Sequence, residues 1–304
     1  MKTSKNFLLG LFVISLLFPS FLFVGCSKQQ AKNDNLPELQ YFDAPNAKIA
    51  FRTHGQGDPL LMCMGYSANM DMWDTSLIDL LKKKYQVIVF DYRGMGYSTN
   101  ADTSFTINTL AEDLNGLCDY LKLNKANIMG WSMGGYVAQS FAINHPEKVN
   151  KLILYATDLG DTIAIPPDQE ILELLADTLS APSQIMGTLF TAKWIETHPN
   201  LEKYFSNAKE PLNYKTIKLQ DAASSIWLSP GGGSVGHLHK LKMPTLILSG
   251  DTDAVVPYKN SEMLSDSISS STLIKMDDGG HGLMFQYPKT VGNYILAFLE
   301  HGGE

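Results

Sequence analysis

The chain has 304 residues, a net charge of −7, 44% hydrophobic side chains and 18% charged ones. That suits one large domain, or a core domain carrying a substantial insertion, and lies well away from disordered or fibrous compositions. The basic residues are scattered, without the stripe that nucleic-acid binding needs, so nucleic acid is set aside as a partner.

The first stretch reads as an export signal and not as part of the fold. Lys2 and Lys5 precede an apolar run from Phe7 to Val24, broken only by Gly10, Ser15, Pro19 and Ser20. The run closes on Phe23-Val24-Gly25-Cys26, which resembles a bacterial lipobox, although leucine is usual where Phe23 stands. The resemblance implies that residues 1–26 form a signal ending before or at Cys26, and that Cys26 is the lipidation site. Residues 27–36 then serve as a tether. The expectation is an exported protein, lipid-anchored on the periplasmic or extracellular face of a bacterial membrane. An uncleaved membrane helix is the competing reading, because the run approaches spanning length.

Behind the tether remain Cys63, in the run Leu60-Leu61-Met62-Cys63-Met64, and Cys118, on the apolar face of a predicted helix. Both read as small buried hydrophobes, with a disulfide between them left open. No cysteine–histidine spacing suggests a metal site. The close pair His237 and His239 reads as a loop feature.

Apolar runs then alternate with amphipathic stretches. Strands are predicted at Ala47–Arg52, Pro59–Met64, Gln86–Phe90, Ala126–Met129, Lys151–Tyr155, Thr245–Ser249 and Thr272–Met276. Several are continuously apolar, as strands buried on both faces of a parallel sheet are. Ile107, Leu110, Leu114, Leu117, Cys118 and Leu121 mark one helical face, and Val291, Tyr294, Ile295, Phe298 and Leu299 another. The pattern predicts an α/β protein: a mostly parallel β-sheet flanked by helices, with right-handed crossovers.

From Asp158 to about Lys242 that rhythm stops. Helical patterns appear at Ile171, Leu172, Leu174, Leu175 and Leu179, then at Ile185, Met186, Leu189 and Phe190. Prolines punctuate the segment and Gly231-Gly232-Gly233 marks its return. We read a core of residues 37–157 and 243–304 carrying a helical cap at 158–242. Met186, Leu189, Phe190, Trp194 and Trp227 are candidates to wall an apolar pocket there.

The strongest chemical signal is Gly130-Trp131-Ser132-Met133-Gly134-Gly135, set between the strand Ala126–Met129 and a helix running to about Asn144. In that context G-x-S-x-G is a nucleophile elbow, and Ser132 is the candidate nucleophile. A serine hydroxyl needs a base to take its proton. Of the seven histidines, His281 alone follows a late strand, in the loop Asp277-Asp278-Gly279-Gly280-His281-Gly282. The acid that orients it should follow Thr245–Ser249, where Asp253 stands, with Asp251 a local rival and Asp158 an alternative after the earlier strand. Backbone N–H groups of Met133 and Tyr66 are the candidate oxyanion donors, with Gly65 permitting a close approach.

With these residues assigned, the chain from about Tyr41 to Leu299 resembles the α/β-hydrolase superfamily. The matching branch holds enol-lactonases, carboxylesterases, cofactor-free haloperoxidases and carbon–carbon bond hydrolases. Asp91-Tyr92-Arg93-Gly94-Met95-Gly96-Tyr97-Ser98 is similar to the family's D-x-R-G-x-G-x-S turn, where Asp91 and Arg93 are structural, and Leu241-Lys242-Met243-Pro244-Thr245-Leu246 is a further match. Met64 departs from the histidine that relatives often carry before the glycine. Serine at the elbow argues against haloalkane dehalogenases and epoxide hydrolases, which use aspartate. The resemblance implies hydrolysis of a small-molecule ester or lactone through an acyl-enzyme, with no metal or organic cofactor. A cofactor-free perhydrolase, or a binding protein that retains the triad with little turnover, stands as the alternative.

Overall fold

The computed structural model describes residues 36–176, 182–205 and 208–302; the signal, Cys26, the tether through residue 35 and Leu179 lie outside them. The strands are β1 (Gln40–Ala44), β2 (Ala47–His54), β3 (Asp58–Cys63), β4 (Tyr85–Phe90), β5 (Thr99–Asn100), β6 (Ala126–Trp131), β7 (Val149–Tyr155), β8 (Thr245–Gly250) and β9 (Ser271–Met276). They form a single sheet in the order β1-β2-β4-β3-β6-β7-β8-β9, with β5 paired to β2. Every pairing from β4 through β9 is parallel, whereas β2 meets β1, β4 and β5 antiparallel. The central runs are apolar without alternation because helices cover both sheet faces: all of β6 and β8 is buried. The predicted strands fall on β2, β3, β4 and β6 to β9. β1 escapes the apolar pattern because only Phe42 in it is buried.

The covering helices in the core are α1 (Thr75–Leu81), α2 (Ile107–Tyr120) and α3 (Met133–Asn144) in the first half. Between β7 and β8 the chain leaves the sheet for the cap, built of α4 (Gln169–Ala176), α5 (Pro182–Gly187), α6 (Ala192–Thr197) and α7 (Tyr214–Trp227). It returns through α8 (Lys259–Ser267), α9 (Leu283–Gln286) and α10 (Pro288–His301). α2 starts where Thr106 and Thr109 close a reciprocal capping box, and it buries Ile107, Leu110, Leu114, Leu117 and Cys118 as their spacing predicts. On α10 the stripe is narrower than predicted: Val291, Ile295, Phe298 and Leu299 are buried, but Tyr294 is 40% exposed. Cys63 and Cys118 are both buried with free thiols, so the disulfide left open by the sequence is not formed.

The turn after β4 ties the sheet's antiparallel edge to the active-site side. Asp91 accepts the Met70 N–H on Oδ1 at 2.7 Å and the Tyr97 N–H on Oδ2 at 2.8 Å. Gly96 takes φ +47°, and a Cβ there would stand 2.2 Å from Asp91 Oδ2, so a side chain would force the carboxylate out. Arg93 grips Asp113 through Nε (2.7 Å) and Nη2 (2.6 Å), and also pairs with Asp102. The motif thus serves as a structural clamp.

Burial pushes the Asp91 carboxyl up to about 7, against the two backbone N–H groups that favour its ionised form. A folded-state pKa raised above the unfolded value supplies stability that is complete below about pH 4 and is lost as pH rises through about 7. Burial of His54, which disfavours its charged form, acts in the opposite sense, so a difference is needed to isolate Asp91. The unfolding free energy of the wild type minus that of Asp91→Asn, from urea titrations, should therefore shrink between pH 5 and pH 8. A difference that stays flat across this window would mean that Asp91 is already ionised in the folded protein throughout it.

Candidate active site

Ser132 sits between β6 and α3 at φ 56° and ψ −124°, a left-handed conformation costly for a residue with a Cβ. Close packing holds it there. A Cβ on Gly130 would lie 2.2 Å from the Gly134 carbonyl oxygen, and one on Gly134 would lie 2.1 Å from that of Cys63. The turn is fixed by hydrogen bonds from Ser132 N–H to the Tyr155 carbonyl (3.0 Å) and from the Thr157 hydroxyl to the Ser132 carbonyl (2.8 Å). Ser132 is half-buried and precedes the first turn of α3, whose free N–H groups and dipole favour negative charge. Met133 is the first residue of that helix.

His281 and Asp253 come together from the ends of β9 and β8. The His281 Nδ1 lies 2.9 Å from Asp253 Oδ2, and both side chains are buried. Asp253 Oδ1 is occupied by the N–H groups of Val255 (2.9 Å) and Val256 (2.8 Å). With Nδ1–H donated to the carboxylate, Nε2 is the nitrogen able to take a proton from a hydroxyl. The His281 carbonyl accepts from the Trp131 indole (3.1 Å) and the Tyr155 hydroxyl (3.2 Å), and the Trp131 and His281 rings are 5.4 Å apart. Trp131 immediately precedes Ser132, so the loop of His281 packs directly against the elbow.

The rival carboxylates are engaged elsewhere. Asp158 accepts the Tyr136 hydroxyl at 2.6 Å and the Gly160 N–H at 2.8 Å, and burial raises its pKa. Asp251 is exposed, and its carboxylate accepts the Gly279 N–H at 3.4 Å. Of the remaining histidines, His198 stacks on Trp194, and His237 and His239 lie in a 3-10 turn. Among the described residues no group of three or more His, Cys, Asp or Glu side chains could hold a metal ion.

The turn after β3 brings Gly65 and Tyr66 beside the elbow. A Cβ on Gly65 would lie 3.1 Å from the Trp131 ring and 3.5 Å from Ser132 Cβ. Two cap residues that the sequence reading passed over reach this turn. Gln220 Oε1 accepts the Ser67 N–H at 2.9 Å, and Asp221 accepts the Tyr66 hydroxyl. Burial pushes the Asp221 carboxyl up to about 6, opposed by its bond to Tyr66 and by Lys218. Their signal was present in the sequence: Ile217, Gln220, Asp221 and Ser224 share one helical stripe, so the two polar side chains follow Ile217 onto the buried face.

The cap also meets the loop of His281, where the Gly282 N–H donates to the Leu189 carbonyl at 2.7 Å. Around this contact Phe190 stacks on Trp194 (4.6 Å between rings), and Phe205 lies 5.0 Å from Phe285 of α9. Phe285 in turn meets Trp131 edge-on at 6.3 Å. Trp227, expected beside Phe190 in the pocket wall, stacks instead on Tyr136 of α3 at 5.1 Å. It lines a separate cavity of about 330 Å³ between α2, α3 and α7, whose lining includes none of Ser132, Asp253 or His281.

Residues 58–288 match the family model described as the alpha/beta hydrolase fold. The chain belongs to the α/β-hydrolase family. Among curated α/β hydrolases it is 29% identical over 246 residues to a poly(3-hydroxyalkanoate) depolymerase of Ectopseudomonas oleovorans, covering 80% of this chain and 84% of that protein. It is 27% identical over 263 residues to 3-oxoadipate enol-lactonase 2 of Acinetobacter baylyi, covering 84% and 95% of the two chains. A thermophilic esterase from Thermogutta terrifontis superposes with a TM-score of 0.70 at 27% identity, over 86% of this chain and 98% of that one.

Within this α/β hydrolase, the partners of the two buried aspartates predict unequal roles. Asp253→Asn should slow covalent labelling of Ser132 by a fluorophosphonate by about 10³- to 10⁴-fold, because His281 would be held in the wrong tautomer. Asp158→Asn should slow it less than about 10-fold, since its partners are Tyr136 and Gly160. The reverse ranking would move the acid to the end of β7.

Proposed function

We propose that the protein is a serine hydrolase that cleaves a carboxylic ester or lactone through an acyl-enzyme intermediate. The observation that carries this reading is the buried His281–Asp253 pair, packed through Trp131 and Tyr155 against a serine held at φ 56°. Ser132 Oγ attacks the substrate carbonyl carbon while His281 Nε2 takes its proton. Asp253 stabilises the resulting imidazolium, and the oxyanion accepts hydrogen bonds from the Met133 and Tyr66 N–H groups. As the tetrahedral intermediate collapses, the carbon–oxygen bond to the leaving alkoxide breaks and His281 returns the proton to it. A water, deprotonated by His281, then attacks the acyl carbon, and Ser132 leaves with the proton regained. In a lactone the alkoxide stays tethered to the acyl group, and the same steps open the ring.

The cap favours small or medium acyl groups. It is bound to both active-site loops, through Leu189 to Gly282 and through Gln220 and Asp221 to Ser67 and Tyr66. A cover fastened at two sides of the reacting carbon limits the room for an extended chain and excludes water. The test is a series of p-nitrophenyl esters from two to sixteen carbons, with and without detergent micelles. Activity should peak among the short esters, ignore micelles, and fall by at least about 10⁴-fold in Ser132→Ala at an unchanged unfolding midpoint. Turnover that rises with chain length and jumps when micelles form would mean a lipase-like lid.

We also propose that Cys26 carries a lipid anchor, on the strength of the charged n-region, apolar run and terminal Gly25-Cys26. A single acyl chain anchors marginally, whereas a multiply acylated cysteine holds firmly. Wild-type protein expressed in bacteria should incorporate labelled fatty acid, and Cys26→Ala should not. Recovery of unlabelled wild-type protein with residues 1–26 attached would refute this.

A further inference from the structure

The turn that carries Tyr66 is an unstable piece of backbone held by the cap. Ser67 adopts φ 56°, so the turn persists only if its surroundings impose it. The Ser67 N–H goes to Gln220 Oε1 at 2.9 Å, and the Tyr66 hydroxyl goes to Asp221, both from α7 and both more than nine-tenths buried. The peptide group between Tyr66 and Ser67 is thus gripped from its two flanks by adjacent residues of one cap helix.

The local chemistry costs stability. Ser67 Oγ, Gln220 Nε2 and Asp221 Oδ2 are buried and make no hydrogen bond among the described residues. Buried polar atoms left unpaired are unfavourable, and apolar side chains at these positions would remove the penalty. A cluster that is costly for folding and sits against the oxyanion loop calls for a role in that loop's geometry.

We infer that Gln220 and Asp221 are positioning residues for the oxyanion hole, fixing the Tyr66 N–H so that the reaction requires a docked cap. The inference rests on the serine-hydrolase reading given above and extends it to two cap residues bonded to the Ser67 N–H and the Tyr66 hydroxyl. Donors aimed at a developing oxyanion act through placement, and a displacement of about 1 Å can cost on the order of 10²-fold in rate. Gln220 and Asp221 control that placement through single hydrogen bonds. The effect should therefore fall on transition-state binding and leave ground-state binding alone.

The experiment compares full-length wild type with Gln220→Met, which keeps the side chain's bulk and removes the acceptor, and with Asp221→Leu. Each variant should hydrolyse p-nitrophenyl acetate with kcat/KM lowered about 10- to 100-fold, mostly in kcat. The Ki of an aryl trifluoromethyl ketone, whose adduct with Ser132 carries the oxyanion, should rise by the same factor. The Ki of the corresponding neutral carboxamide should stay within about twofold. Asp221→Asn, which restores an acceptor for the Tyr66 hydroxyl, should recover most of the loss. If bulky replacements prevent folding, Tyr66→Phe removes only the hydroxyl–Asp221 bond and should show the same split between the two inhibitors. A folded Gln220→Met with wild-type kcat/KM would overturn the inference. So would a loss explained wholly by fewer titratable active sites at an unchanged ketone Ki, because that marks a merely structural role. Wild-type protein that neither hydrolyses the ester nor binds the ketone would sink the hydrolase reading and this inference together, whereas an active wild type with indifferent variants would sink the inference alone.

Discussion

Tyr155 is the residue on which the geometry of the site depends. Its carbonyl accepts the Ser132 N–H at 3.0 Å, its hydroxyl donates to the His281 carbonyl at 3.2 Å, and the same hydroxyl accepts the Met284 N–H at 2.9 Å. One fully buried residue at the end of β7 therefore joins the elbow after β6, through its carbonyl, to the loop after β9, through its hydroxyl, across the intervening β8. Burial disfavours the charged phenolate and raises the Tyr155 pKa above its ordinary value, which favours the neutral hydroxyl that donates and accepts here. Its ring also stacks on Trp131 at 6.1 Å between centroids, and Trp131 supplies the second donor to His281. The parallel sheet brings the loops to one edge, and Tyr155 with Trp131 turns that proximity into a fixed arrangement.

The cap adds a second layer of constraint. Helices inserted after β7 could rest on the sheet through apolar contact alone, and much of the contact is of that kind, in the Phe190, Trp194, Phe205 and Phe285 cluster. Apolar packing is non-directional and tolerates small shifts, whereas hydrogen bonds to backbone amides are specific in distance and angle. The cap makes such bonds at Gly282 and at Ser67, one on each of the two loops that flank the elbow. A movement that lifts the cap must break both, so opening of the site and loosening of its geometry are coupled.

Much of this was legible in the sequence, and for identifiable reasons. Continuous apolar runs revealed the central strands because a sheet covered on both faces leaves no polar alternation to confuse. Ser132 was visible because its elbow needs glycine on both sides, and Gly130 and Gly134 are there. The pairing of His281 with Asp253 was expected from chain order and from the strands that precede them. β1 was hidden because a strand with one buried side chain carries no periodic signal. Tyr294 was misplaced because a five-member stripe is wider than the face α10 buries. Trp227 was assigned to the wrong wall because bulk and apolarity say that a side chain is covered, not by which neighbour. Gln220 and Asp221 escaped notice because polar side chains on an amphipathic helix usually face solvent, although their spacing from Ile217 places them on the buried face.

Hydrogen-bond partners also distinguish the two buried aspartates near His281, of which only Asp253 is bonded to it. Asp158 and Asp253 both follow strands that flank the site, and both are buried. Sequence position alone does not separate them. Their hydrogen-bond partners do. Asp158 has one oxygen taken by the Tyr136 hydroxyl and the other by the Gly160 N–H, and its carbonyl holds Gln139 Nε2 at 2.9 Å, so it locks α3 to the start of the cap. Asp253 places both backbone donors, Val255 and Val256, on a single oxygen. The second oxygen faces His281 Nδ1 at 2.9 Å. A carboxylate with both oxygens committed to neutral partners is a structural fastener, and one with an oxygen facing an imidazole is placed to stabilise its charged form in the proposed reaction.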